Sequence, residues 1–185
     1  VETPADWAGK RVLLHLGACD WKTTVWVNGT VVGAHTGGSA PVTCDITAAL
    51  VPGANTVVVH AFDDVRSGAQ AGGKQSPKPE SFGCMYTRTT GIWQTVWMEA
   101  VGQAYVETLR LTPDPGNKRL CVLAGVKDAF PGMRLRAAAS LDGREAGKAD
   151  VVVTGGQASF DLALSPVKLW EPGKPVLYDL ALTLA

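Results

Sequence analysis

Hydrophobic and polar residues alternate with period two along most of the chain, the signature of half-buried β-strands. Val12, Leu14 and Leu16 fall on one face of a first segment, and Leu13 and His15 on the other. Val25 and Val27 alternate with Thr24 and Trp26; Asn28-Gly29 then interrupts and Thr30-Val31-Val32 resumes. This pattern predicts a hairpin, because a two-residue type I′ turn needs positive φ at both central positions, which Asn and Gly tolerate. Val57, Val59 and Ala61 alternate with Val58, His60 and Phe62 in a further strand. Residues 45–50 fit one helical turn, ended by Pro52-Gly53. No stretch longer than about ten residues keeps a 3.6 period, so the expected fold class is all-β.

Strand-like segments continue over 105–112, 119–126, 134–141, 149–153, 158–164 and 177–184. Turn signals such as Pro113-Asp114-Pro115-Gly116 and Asp142-Gly143 separate them, a spacing that suits a small sandwich of about seven strands. A boundary near Gly102 is therefore expected. It divides a partial jelly roll of the galactose-binding-domain type (1–102) from an immunoglobulin-like β-sandwich (103–185). A jelly roll closes with about eight strands, and the first part offers only about six or seven. The chain also opens almost directly into a strand, so N-terminal strands are expected to be missing. Between 64 and 81 runs a long loop rich in Gly, Ser, Pro and Lys, of the kind that is usually functional or mobile.

Composition narrows the function. Seventeen basic and seventeen acidic residues cancel, with no long run of either sign, which argues against nucleic acid or an anionic membrane as the main partner. No apolar run approaches the roughly 20 residues that cross a bilayer as a helix. The four cysteines, Cys19, Cys44, Cys84 and Cys121, form no C-x-x-C pair, and buried free thiols are the default expectation over a metal site or a disulfide. No metal and no cofactor is expected, and compartment stays open between cytoplasmic and periplasmic or secreted. Nor is there a G-x-S-x-G elbow or a phosphate-cradling G-x-G-x-x-G after a strand. Asp63-Asp64 is the only adjacent acidic pair, and strand alternation would point such neighbours to opposite faces.

The motifs, taken in order, resemble a known family. Residues 7–17 (beginning Trp7-Ala8-Gly9-Lys10-Arg11), Val25-Trp26-Val27-Asn28-Gly29, Gly33-Ala34-His35-Thr36-Gly37-Gly38 and Asp45-Ile46-Thr47 are similar to the N-terminal sugar-binding domain of glycoside hydrolase family 2. Gly91-Ile92-Trp93-Gln94-Thr95-Val96-Trp97 is similar to the closing strand of that domain. The stretch 169–178, with Trp170 and Tyr178, is similar to the end of the immunoglobulin-like domain that follows it. The family includes β-galactosidases, β-glucuronidases and β-mannosidases. The resemblance implies that a (β/α)8 barrel carrying both catalytic glutamates follows in the parent enzyme, as intramolecular partner of this chain. No catalytic residue is therefore expected here. Retaining hydrolysis needs two carboxylates about 5–5.5 Å apart, and the acidic residues of this chain sit mostly at turns or outward strand positions. The implied role is to brace the barrel and shape its carbohydrate site. A freestanding carbohydrate-binding or adhesion module is the alternative.

Five residues are candidates for substrate contact. Asn28 suits its turn by tolerating positive φ; the resemblance adds that the matching asparagine of β-galactosidases hydrogen-bonds the sugar. Arg88 offers a planar five-donor fork to hydroxyls or a carboxylate, or else satisfies a loop carbonyl or Asp63 or Asp64. Lys74 and Gln75 match a Gly-Lys-Gln of some family members and could fold over the barrel mouth, or lie in a solvated loop. Trp93, expected to share a strand face with Thr95 and Trp97, could stack on a pyranose or pack in a core or domain interface. At Met85 the family's β-galactosidases and β-glucuronidases carry a substrate-contacting aspartate, a departure that puts recognition of those sugars in doubt. Trp170 and Tyr178 are expected in the core of the second sandwich.

Overall fold

A computed structural model describes all residues, Val1–Ala185. Fourteen strands and two single 3₁₀ turns make up its regular structure, with no α-helix, so the chain is all-β. Every strand pair is antiparallel. Two compact units divide the chain, Val1–Val101 and Gly102–Ala185.

The first unit contains β1 (Arg11–Leu16), β2 (Cys19–Asp20), β3 (Lys22–Val27), β4 (Thr30–Thr36), β5 (Val42–Asp45), β6 (Val57–Phe62), β7 (Gly91–Ile92) and β8 (Val96–Val101). They form the sheets β5-β1-β8, β4-β3-β6 and the short pair β2-β7. The alternation seen in the sequence decides which side chains meet. Val12, Leu14 and Leu16 of β1, Val42 and Cys44 of β5 and Val25 and Val27 of β3 share one buried core, so the two larger sheets pack in a sandwich-like manner. Gly33 lets β4 come close, since a Cβ there would collide with Cys44 Sγ. Asn28 and Gly29 both have positive φ, as the I′ hairpin requires. The turn after β5 shortens to 3₁₀ over Thr47–Ala49; Asp45 Oδ1 accepts from the Thr47 amide at 3.0 Å, and Thr47 Oγ1 accepts from the Val12 amide at 2.9 Å.

In the second unit β9 (Tyr105–Asp114), β10 (Arg119–Lys127) and β13 (Gln157–Ala163) form the sheet β13-β10-β9. Its counterpart is β12-β11-β14, from β11 (Arg134–Leu141), β12 (Arg144–Val152) and β14 (Asp179–Leu184). Ala124 and Val126 of β10, Ala158 of β13 and Leu135 of β11 close a core drawn from both sheets. A Cβ on Gly147 would strike the Ala163 carbonyl, a second close approach of backbones.

Three local expectations are corrected. The 91–97 segment is not one strand: it pairs with β2 through Ile92, breaks over 93–95, and resumes against β1 at Val96. The break sends Trp93 and Trp97 to different surroundings, and Trp97 stacks on His15 with ring centroids 4.7 Å apart. Trp170 is not in the core but 58% exposed, while Tyr178 is half-buried and donates its hydroxyl to the Pro166 carbonyl at 2.8 Å. Of the four thiols, Cys19 and Cys44 are buried, Cys121 is half-buried and Cys84 is exposed.

Candidate functional site

The pairing of β2 with β7 organises a cleft of about 420 Å³ in the first unit. Cys19 is fully buried and anchors β2, and alternation along the strand leaves Asp20 facing the cleft. Trp93 follows β7, held by its amide on the Ala18 carbonyl at 3.2 Å. Its indole Nε1 donates to the Gly38 carbonyl at 2.7 Å, which fixes the ring while 57% of the residue stays exposed. Gly38 needs to be small, because a Cβ would run into the Asp20 carboxylate.

Gln75 closes the arrangement from the long loop. Its Nε2 donates to Asp20 Oδ2 at 3.3 Å, and its Oε1 accepts from the Thr89 amide at 3.0 Å. Internal bonding holds that loop in place. The Ser76 side chain is buried and donates to the Glu80 carbonyl at 2.8 Å, and the Tyr86 amide donates to the Lys74 carbonyl at 2.8 Å. Asp63 sits behind, with Oδ1 accepting from Gln70 Nε2 and Oδ2 from Thr90 Oγ1. Burial, and next the Asp63 charge, push the Asp20 carboxyl above its ordinary value; the Gln75 amide opposes them.

The five candidates therefore separate. Gln75 and Trp93 come together on the cleft. Lys74 is exposed beside it and is not part of its lining. Arg88 is half-buried and donates Nη1 to the Pro77 carbonyl at 3.3 Å, the loop-carbonyl alternative. Asn28 lies at the far end of β3 from Asp20, roughly 20–25 Å away along an extended strand. Its Nδ2 donates to the Ala49 carbonyl at 2.9 Å and to Asn55 Oδ1 at 2.7 Å, and its Oδ1 accepts from the Thr56 amide at 2.9 Å. Both amide protons are thus engaged within the fold. Sequence reasoning missed Asp20, Trp21 and Gly38. The available signals were an Asp-Trp pair just before a strand and the Gly37-Gly38 doublet. No group of three or more His, Cys, Asp or Glu side chains is placed to hold a metal ion.

Comparison with known proteins adds a family context. No family model matches the chain. A β-glucuronidase from Paenibacillus borealis is 25% identical over 199 residues, an alignment that takes in 98% of this chain and 31% of that protein. A solved β-glucuronidase 2 from Bacteroides uniformis is 25% identical and matches the whole chain with TM-score 0.71, covering 23% of its own length. A glycosyl hydrolase family 2 member from Bacteroides cellulosilyticus matches with TM-score 0.74 over the whole chain and 25% of its own, at 18% identity, a likeness of fold. The chain resembles part of family 2 glycoside hydrolases along essentially its whole length. It spans less than a third of each of these relatives.

Proposed function

We propose that this chain is the non-catalytic, sugar-recognising part of a family 2 glycoside hydrolase that cleaves terminal β-glycosidic bonds. The observation that supports this most directly is the alignment over 98% of the chain with a β-glucuronidase of which it spans 31%. In this reading residues 1–102 act as a jelly-roll sugar-binding domain and 103–185 as an immunoglobulin-like domain that braces a (β/α)8 barrel. That barrel supplies both carboxylates of a retaining double displacement.

The cleft of the first unit takes part in recognition. Its volume lies within the roughly 300–1,000 Å³ range of small-molecule sites. The pinned, exposed indole of Trp93 offers a face for the C–H surface of a pyranose, and Gln75 and Asp20 offer hydrogen-bonding groups at its edge. Lys74 stays outside the lining and serves through its backbone, its carbonyl accepting from the Tyr86 amide at 2.8 Å. Arg88 and Asn28 act through the fold instead, Arg88 by holding the long loop and Asn28 by tying the β3–β4 turn to residues 49–56.

The full-length protein that carries this chain should release 4-nitrophenol from 4-nitrophenyl β-glycosides with retention of anomeric configuration. Trp93→Ala should lower kcat/KM about tenfold, with the barrel chemistry intact. Sugar binding with no hydrolysis of any β-glycoside would instead favour a freestanding binding module.

A further inference from the structure

We propose that Asp20 makes this cleft selective for an uncharged sugar, so that the full-length protein prefers neutral β-glycosides to β-glucuronides. The inference rests on the glycosidase reading above and deepens it by naming the substrate class.

Among the side chains that line the cleft, only Asp20 is charged. Its Oδ2 has one neutral partner, the Gln75 amide. Asp63 adds a second negative charge close by, and both of its oxygens are held by neutral donors, Gln70 and Thr90, rather than by a cation. The basic residues of this region do not offset that charge. Lys74 lies outside the lining, and Arg88 is turned to the Pro77 carbonyl. The raised proton affinity of Asp20 reports the same condition, since a negative charge in this position is already costly to maintain.

A uronic acid entering here would add a third carboxylate to a partly desolvated, uncompensated negative site, and like-charge juxtaposition of that kind is strongly unfavourable. A hydroxyl in the same place would donate to a carboxylate oxygen and form a short, charge-assisted bond. Gly38 contributes by keeping the space beside Asp20 Oδ1 free of side chain. Trp93 then places the sugar ring, while Asp20 sets which substituents the ring is allowed to carry.

The test compares 4-nitrophenyl β-glucuronide with the corresponding β-galactoside, β-glucoside and β-mannoside on the full-length protein. The neutral-to-uronide ratio of kcat/KM should be at least about tenfold in favour of the best neutral substrate. Asp20→Asn should shrink that ratio by about tenfold. Ser39→Lys adds a cation at an exposed position on the cleft and should shrink it in the same direction while the Asp20 carboxylate is retained. Melting curves of both variants identify any loss of fold, and Ser39→Lys carries the test if Asp20→Asn is unstable. Equal or better turnover of the glucuronide by the unmodified protein would overturn the proposal. So would a neutral preference that neither folded variant moves. No turnover of any β-glycoside would remove the glycosidase reading, and this inference with it.

Discussion

Asn55 carries more of the first unit than its place in a loop suggests. It is buried, its Oδ1 accepts from Asn28 Nδ2 at 2.7 Å and from the Val51 amide at 2.8 Å, and its Nδ2 donates to the Val51 and Gly53 carbonyls at 3.0 and 2.9 Å. Replacing it by Ala leaves several of those groups without partners. Asn55→Ala should cost about 2–4 kcal/mol, seen in thermal denaturation as a loss of roughly 10 °C or more in the transition of the first unit. Asp20 acts in the opposite sense. Its carboxyl titrates above the ordinary 3.8, so its favourable contribution is complete below that value and is lost as pH rises through the folded-state value. Asp20→Asn should therefore raise Tm at neutral pH, and the gain should vanish on acidification below about 4. A gain that persists unchanged at acid pH would show that the group is not under this strain. Asp20 does not stand out in the sequence because its partner Gln75 is 55 residues away. The local bonds of Asn55 to Val51 and Gly53 gain their reach only through Asn28, 27 residues away.

At the scale of elements, close approach between strands is the sensitive feature. Gly33 faces Cys44 across the core of the first unit, and its backbone φ is one that Ala can adopt. Gly33→Ala should cost about 1–3 kcal/mol from overpacking, and Cys44→Ala in the same chain should recover much of it. Additive losses in the double variant would place the strain elsewhere. In the second unit, Arg134 Nε donates to Asp150 Oδ1 at 2.7 Å across the β11–β12 pair. The Arg134 hydrogen bond holds the Asp150 carboxyl below its ordinary 3.8, so its contribution is present above that value and fades as pH falls through the lower folded-state one. Arg134→Gln should weaken this acid sensitivity of the second unit in urea titrations carried out as pH falls below about 4. Strand alternation and the Asn28-Gly29 turn were legible because a period of two and a positive-φ pair are local properties. The break over 93–95 was not. It depends on β2 and β1 claiming the two halves of one apolar run, and on the Gly17 amide donating to the Thr95 carbonyl at 2.8 Å.

For the chain as a whole, exposed apolar surface sets its behaviour in isolation. Trp170 and Leu177, 58% and 75% exposed, border an apolar groove of the second unit together with Leu169. On the first unit, Trp26 forms a cross-strand row with the exposed Val31 and Val58. Surfaces of this kind favour association. The 185-residue chain by itself should show a mass above its 19.4 kDa monomer by light scattering at tens of micromolar, and Leu177→Glu should lower it. A clean monomer before substitution would count against that expectation.

The all-β class and the order of the family-like motifs could be read from the chain alone, because both rest on local pattern: alternation, turn chemistry and short contiguous motifs. Two of the candidate contacts, Gln75 and Trp93, were also visible as residue types in suggestive places. Only the tertiary structure brought them to one cleft and added Asp20 and Gly38 to it. It also engaged Asn28 and Arg88 within the fold. The reason is physical. A site is a meeting of side chains across 55 residues of sequence, as from Asp20 to Gln75, and no periodicity along the chain encodes which partners the sheets bring within 3.3 Å.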